Sequence, residues 1–336
     1  MQIVAGAKPY VVLQDVGGHA AKDTHAQYPP LDLMRDQLFE SYQALGLPMP
    51  EVFTVWTSFP INGDDYGTYA DPRGNDVTGI GFEDRFSPDG LKDPPVPPTR
   101  AVLWHNNILA MPQRASLLNA PVDGYARYLF LLEFSHLWGP NVRVPMPKED
   151  ELIGFSFHWS FFMDAGGSPA GGNLWTDNGD GTFTVVPADP ATVKYSMIDL
   201  YLMGLASPDE VEPFGVLTNV TVPRMPTDPS WGGAYSGRSF PWFDRHAAPF
   251  KVTATRRGLT VYDVIAANGV RTPEAGVKTS YTVAIVLLVP ENADAATIAA
   301  TEKAFAPIAQ SLAPAFADAT SQRGTLEIVT TSRRRT

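Results

Sequence analysis

The chain has 336 residues, 44% of them hydrophobic and 18% charged, a globular balance in a length that makes one large domain or two modest ones. Its net charge of −11 opposes nucleic-acid binding, which calls for a basic face. It contains no cysteine, which removes thiol catalysis, disulfides and thiolate metal sites.

Periodicity and turn residues divide the chain into alternating elements. Residues 9–16 (PYVVLQDV) predict a strand, residues 30–46 an amphipathic helix and residues 51–59 a second strand. Residues 61–98 are rich in Gly, Pro and Asp and predict long loops. A third strand is expected at 100–109, then a helix over 122–139 stopped by Gly139-Pro140. Residues 155–164 (FSFHWSFFMD) are aromatic and apolar, and a glycine-rich segment follows at 165–173. Asn-Gly and Asp-Gly inside residues 174–186 (LWTDNGDGTFTVV) predict a hairpin, without the alternating oxygen ligands of a calcium loop. A helix is expected over 193–211, up to about Leu205. Strands at 250–256 and 281–289, an alanine-rich helix from about Asp294 to Ala317 and a strand at 324–331 complete the chain.

A Pro/Gly-rich stretch at 225–242 suggests a division into 1–225 and 226–336, the second portion packed on the same body. No apolar run approaches the ~20 residues of a membrane span. The start of the chain lacks a basic segment and does not read as a signal peptide, and the C-terminal SRRRT reads as a solvated tail.

The chemistry-bearing stretch is LFLLEFSHLWGP, residues 129–140. In a zinc-peptidase helix two histidines four residues apart bind the metal, and the intervening glutamate activates its water. Here Leu132 stands at the first histidine position, Glu133 at the general base and His136 at the second histidine. A satisfied core histidine explains the local pattern without any metal, because Tyr125, Leu129, Leu132 and His136 form one helical stripe. No Gly-x-Ser-x-Gly elbow or phosphate-cradling loop occurs, and His19, His25, His105 and His246 fall in no recognisable ligand spacing.

Together, LLEFSHLWG, HWSFFMDAGGSPAGGNLWTDNGDGTF and YSMIDLYLMGLASPDEVEPF resemble a family of secreted bacterial zincin-like metallopeptidases with an H-E-x-G-H-x-W helix. The upstream TSFP and DVTGIGFED and the downstream LTVYDVIAANGVR and YTVAIVLLV extend the likeness over residues 50–320. The resemblance implies an α+β fold with a zincin-like mixed sheet, an active-site helix and a C-terminal α/β portion. It also implies zinc, a polypeptide substrate, an extracellular location, and roles for Glu133 as base and His136 and Asp199 as ligands. The chain departs from the family where Leu132 replaces the first histidine and Ser135 the glycine.

Leucine has no lone pair, so a standard His-Glu-x-x-His cage is excluded. His158 is the candidate replacement, giving His136, His158 and Asp199 around zinc with an open position for water. Met203, four residues after Asp199, would floor the site, and Tyr195 or Tyr201 would stabilise an oxyanion. Each has a plainer alternative: His158 a buried hydrogen-bonded histidine, Asp199 a surface partner of Lys194, and Met203 and the tyrosines core packing. Two functions remain in view, a zinc hydrolase of peptide bonds with an altered ligand set and a pseudo-metallopeptidase that binds a polypeptide or glycan.

Overall fold

The computed structural model describes residues 2–4, 8–18, 20, 31–61, 67–72, 76–81, 98–144, 152–154, 157–222, 224–227, 243 and 248–329. His19, His25, His246, much of the 61–98 segment, most of the 225–242 stretch and the basic tail lie outside them.

In chain order the elements are β1 (Gln2–Val4), β2 (Val11–Asp15), α1 (Leu31–Ala44), β3 (Val52–Thr57), β4 (Tyr69–Pro72), β5 (Ala101–Asn107), α2 (Met111–Leu117) and α3 (Val122–Ser135). They continue with β6 (Trp159–Asp164), β7 (Gly171–Asn173), β8 (Trp175–Asp177), β9 (Thr182–Val185), α4 (Met197–Met203), β10 (Phe214–Thr221), β11 (Phe250–Leu259), α5 (Val261–Asn268), β12 (Ser280–Pro290), α6 (Ala295–Ala319) and β13 (Thr325–Ile328). The fold is mixed α and β, with two mixed sheets among the described residues.

The unbroken apolar run of β12 reads as a strand buried on both faces, and that is its position. The first sheet has the order β1-β2-β12-β3-β5-β4, with β13 also on β12. Strands β2, β12, β3 and β5 are parallel, while β1 and β4 pair antiparallel at the two ends.

Side-chain alternation along β12 sorts two cores. Val283, Ile285, Leu287 and Val289 share one cluster with Phe130 and Phe134 of α3 and Phe305, Leu312 and Phe316 of α6. Ala284, Val286 and Leu288 share another with Met34, Leu38, Phe39 and Tyr42 of α1. Helices therefore cover both faces, and each large apolar side chain so buried contributes about 1.5–3 kcal/mol of transfer free energy.

The second sheet has the order β7-β6-β10-β11-β9-β8 and its own small core of Phe161, Trp175, Phe183, Val185, Leu217 and Val252. The expected hairpin is β8–β9. Its glycines, Gly179 and Gly181, sit at φ 77° and 80°, where a side chain would be strained.

Two helices differ from expectation at their ends. The 122–139 helix stops at Ser135, and a turn carries the chain through Trp138 to the cis Gly139-Pro140 peptide. The 193–205 helix begins only at Met197, because Ser196 caps it and the Tyr195 amide bonds instead to the Ala319 carbonyl at 3.1 Å. Helices α2 and α5 and strands β1, β4, β6, β7 and β10 were not expected, and β4 lies within the 61–98 stretch read as loops. Among the described residues no helix is long and apolar enough to cross a membrane.

Candidate functional site

Helix α3 is buried from Gly124 through Ser135. It is apolar nearly all round, as a helix wedged between other elements must be. Phe134 reaches Phe316 of α6, ring centroids 4.9 Å apart, and the Arg127 guanidinium bonds Asp318 of the same helix at 2.9 Å. Leu132, at the position of the missing first ligand, is 3% exposed and belongs to the main core.

Glu133 points toward the β4 side. The Thr68 hydroxyl donates to its Oε1 at 2.6 Å, while Oε2 has no partner among the described residues. Burial pushes its pKa up to about 8, against the opposing pull of Thr68 and a backbone hydrogen bond at Ala70. At neutral pH the carboxyl therefore holds its proton, the state of an acid and not of a resting base.

His136 is the C-cap of α3, and its ring meets that of His158 edge to face, centroids 4.8 Å apart. Burial, and next the neighbouring His158, hold its pKa well below the usual histidine range, against a backbone hydrogen bond at Gly139. Its Nδ1 has no hydrogen-bond partner among the described residues. Directly before His158 the chain passes through Phe157 at φ 62°, left-handed backbone that a bulky residue adopts only under tertiary constraint.

Asp199 is buried, at 5% exposure. Its Oδ2 accepts from the Ser196 amide at 2.8 Å and from the Ser196 hydroxyl, closing a capping box at the start of α4. Its Oδ1 accepts from the Trp159 indole at 2.7 Å. Burial raises its pKa, and donors from Ser196, Trp159 and Ser168 counter that rise. Lys194, its alternative partner, pairs instead with Asp318 at 2.8 Å.

The structure thus brings His136 and His158 into contact, and Asp199 bonds Trp159, the residue after His158. Among the described residues no group of three or more His, Asp or Glu side chains is spaced to hold one ion. Leu132 offers no lone pair, and the carboxylate oxygens of Asp199 are committed to protein donors. Of the expected donors, the two imidazoles are in contact and the carboxylate of Asp199 is hydrogen-bonded within the protein.

The remaining candidates are also engaged. The Tyr195 hydroxyl donates to the Leu131 carbonyl at 2.6 Å and is buried. Met203 lies with Trp138 and Tyr281 around a separate cavity.

Sequence reasoning missed Thr68, which no pattern marks, and Trp159, which the HWSF segment contained but did not explain. It also passed over His105, fully buried on β5 and stacked on Trp56 with centroids 4.0 Å apart. Neither ring nitrogen of His105 has a partner among the described residues, and burial pushes its pKa down to about 3. Compared with protein-family models, with curated proteins and with solved structures, the chain matches none.

Proposed function

We propose that this chain is a polypeptide-binding protein on a metallopeptidase-like scaffold whose catalytic metal site has been dismantled. The observation that supports it is the fate of the ligand positions. Leu132 fills the core where the first imidazole would stand, and Asp199 spends its oxygens on Ser196 and Trp159. The zincin-like fold and an extracellular location, both implied by the sequence resemblance, belong to this reading.

A polypeptide is favoured over a glycan by strand β4. Among the described residues β4 pairs on one side only, with β5, beside the Thr68–Glu133 contact. A strand edge that no other segment covers accepts an extended chain as a further strand. Glu133, protonated at neutral pH, would act there as a hydrogen-bond donor through Oε2.

A second reading, a zinc-dependent peptide hydrolase with Glu133 as base, is favoured by the contact of His136 with His158. Elemental analysis of protein purified in the presence of zinc separates the two. The binding reading expects substoichiometric metal and intact casein held without cleavage, measured by fluorescence anisotropy and gel analysis. Stoichiometric zinc that disappears in His136→Ala or His158→Ala, with casein cleavage, overturns it. Zinc uptake appearing only in Leu132→His would identify the lost donor as the cause.

A further inference from the structure

The turn between β8 and β9 carries Asn178-Gly179, one of three Asn-Gly pairs in the chain. Of the other two, Asn62-Gly63 lies outside the described residues and Asn268-Gly269 ends α5. Such a pair contains its own electrophile and nucleophile. Only the Asn carbonyl carbon, Cα and Cβ separate the glycine nitrogen from the carboxamide Cγ. Glycine adds no side chain to obstruct that approach, and a Cβ built on Gly179 would meet nothing within 4 Å.

At Asn178 the turn adds a base. The Gly179 amide, the nitrogen that must lose its proton in order to attack, donates to the Asp177 Oδ1 at 2.8 Å. The Asn178 carboxamide lies between two hydroxyls. Its Nδ2 donates to Thr182 at 2.9 Å and to Thr184 at 3.0 Å, and its Oδ1 accepts from Thr184 at 3.3 Å. The Asn178 amide bonds the Thr182 carbonyl at 3.0 Å, which fixes the turn. Asp177, Asn178 and Gly179 are all exposed, so water reaches them.

Asn268-Gly269 offers a contrast within the same chain. The Gly269 amide donates to a neutral acceptor, the Ile265 carbonyl, at 2.8 Å. The Asn268 carboxamide is pinned by backbone on both sides. Its Nδ2 bonds the Val264 and Arg143 carbonyls at 2.7 and 2.8 Å, and its Oδ1 accepts from the Arg143 amide at 3.0 Å.

We propose that Asn178 is a self-modification site, at which the Gly179 nitrogen attacks the Asn178 Cγ with Asp177 as base and water completes the conversion to aspartate or isoaspartate. The N–Cγ bond forms as the Cγ–Nδ2 bond breaks. The Gly179 proton passes by way of Asp177 to the departing nitrogen, which leaves as ammonia. Water then opens the cyclic imide at either carbonyl. The new carboxylate stands beside Asp177 and Asp180, and the isoaspartate form also lengthens the backbone of the turn, so the change falls on the hairpin at one end of the second sheet. The proposal does not depend on polypeptide binding.

The test follows the full chain over several days in mildly alkaline buffer, native and in urea, by peptide mass mapping with an isoaspartate assay. In the native chain Asn178 is expected to convert at least about tenfold faster than Asn268, and in urea the two are expected to convert alike. Equal native rates, or an Asn178 that stays intact in the native chain while converting in urea, overturns the proposal.

Asp177→Asn and Asp177→Ser each keep an acceptor for the Gly179 amide and remove the base. Both are expected to slow conversion of Asn178 at least about tenfold with the thermal midpoint nearly unchanged. Undiminished conversion in either variant overturns the proposal.

Discussion

Glu133 is a buried acid whose ordinary pKa is 4.5 and whose folded value is about 8. Between those values the unfolded chain sheds a proton that the folded chain retains, so this residue makes stability fall as pH rises from about 4.5 to 8. Glu133→Gln keeps an acceptor for Thr68 and removes the titration. Its stability relative to the parent is expected to improve by on the order of 2–3 kcal/mol between pH 5 and pH 8. Urea denaturation at the two pH values measures this, and parallel curves would refute the protonated assignment. His105 and His136 act in the opposite sense, since both stay neutral when folded and their unfolded forms gain protons below about 6.5, so they weaken the fold toward acid. None of these environments was legible in the sequence. The ExxH spacing marked Glu133 and His136, but a spacing cannot say whether a side chain meets water, a metal or Thr68.

Asp199 shows how one carboxylate serves an element. Placed third in α4, it closes the capping box with Ser196 and anchors the Trp159 indole of β6. Asp199→Asn cannot satisfy both sets of donors, because one amide end would face the Ser196 amide with another donor. It is expected to lose about 1–3 kcal/mol in chemical denaturation. Unchanged stability with altered metal content would instead identify Asp199 as a ligand.

The helices and strands with strong periodicity were legible. β2, β3 and β5 fall inside the expected strands, β12 extends the expected 281–289 by one residue at each end, and α6 extends the expected helix by two residues to Ala319. Short α2 and α5 escaped notice because seven or eight residues hold barely two turns. The start of α4 was misplaced because Ser196, a strong N-cap, overrides the helical pattern before it.

The molecule as a whole is tied together by β12. This strand, from the last quarter of the chain, lies between β2 and β3 from the first. A chain ending at residue 279 would leave those strands facing a gap and α3 without the α6 partners Phe305, Leu312 and Phe316. Such a truncation is expected to lose the cooperative unfolding transition in calorimetry. A residual sharp transition would show that residues 1–279 hold a self-sufficient core.

From the order of residues alone came the alternation of strands and helices, the hairpin at 174–186, the exclusion of thiol chemistry and the isolation of Glu133, His136, His158 and Asp199 as the groups worth weighing. Hydrophobic periodicity and turn propensity are short-range properties, so they survive without coordinates. Which of those four groups meet belonged to the packed molecule. The contact of His136 with His158, the bond of Asp199 to Trp159 and the proton on Glu133 all depend on segments tens of residues apart. Long-range packing sets who is buried beside whom, and burial sets the chemistry.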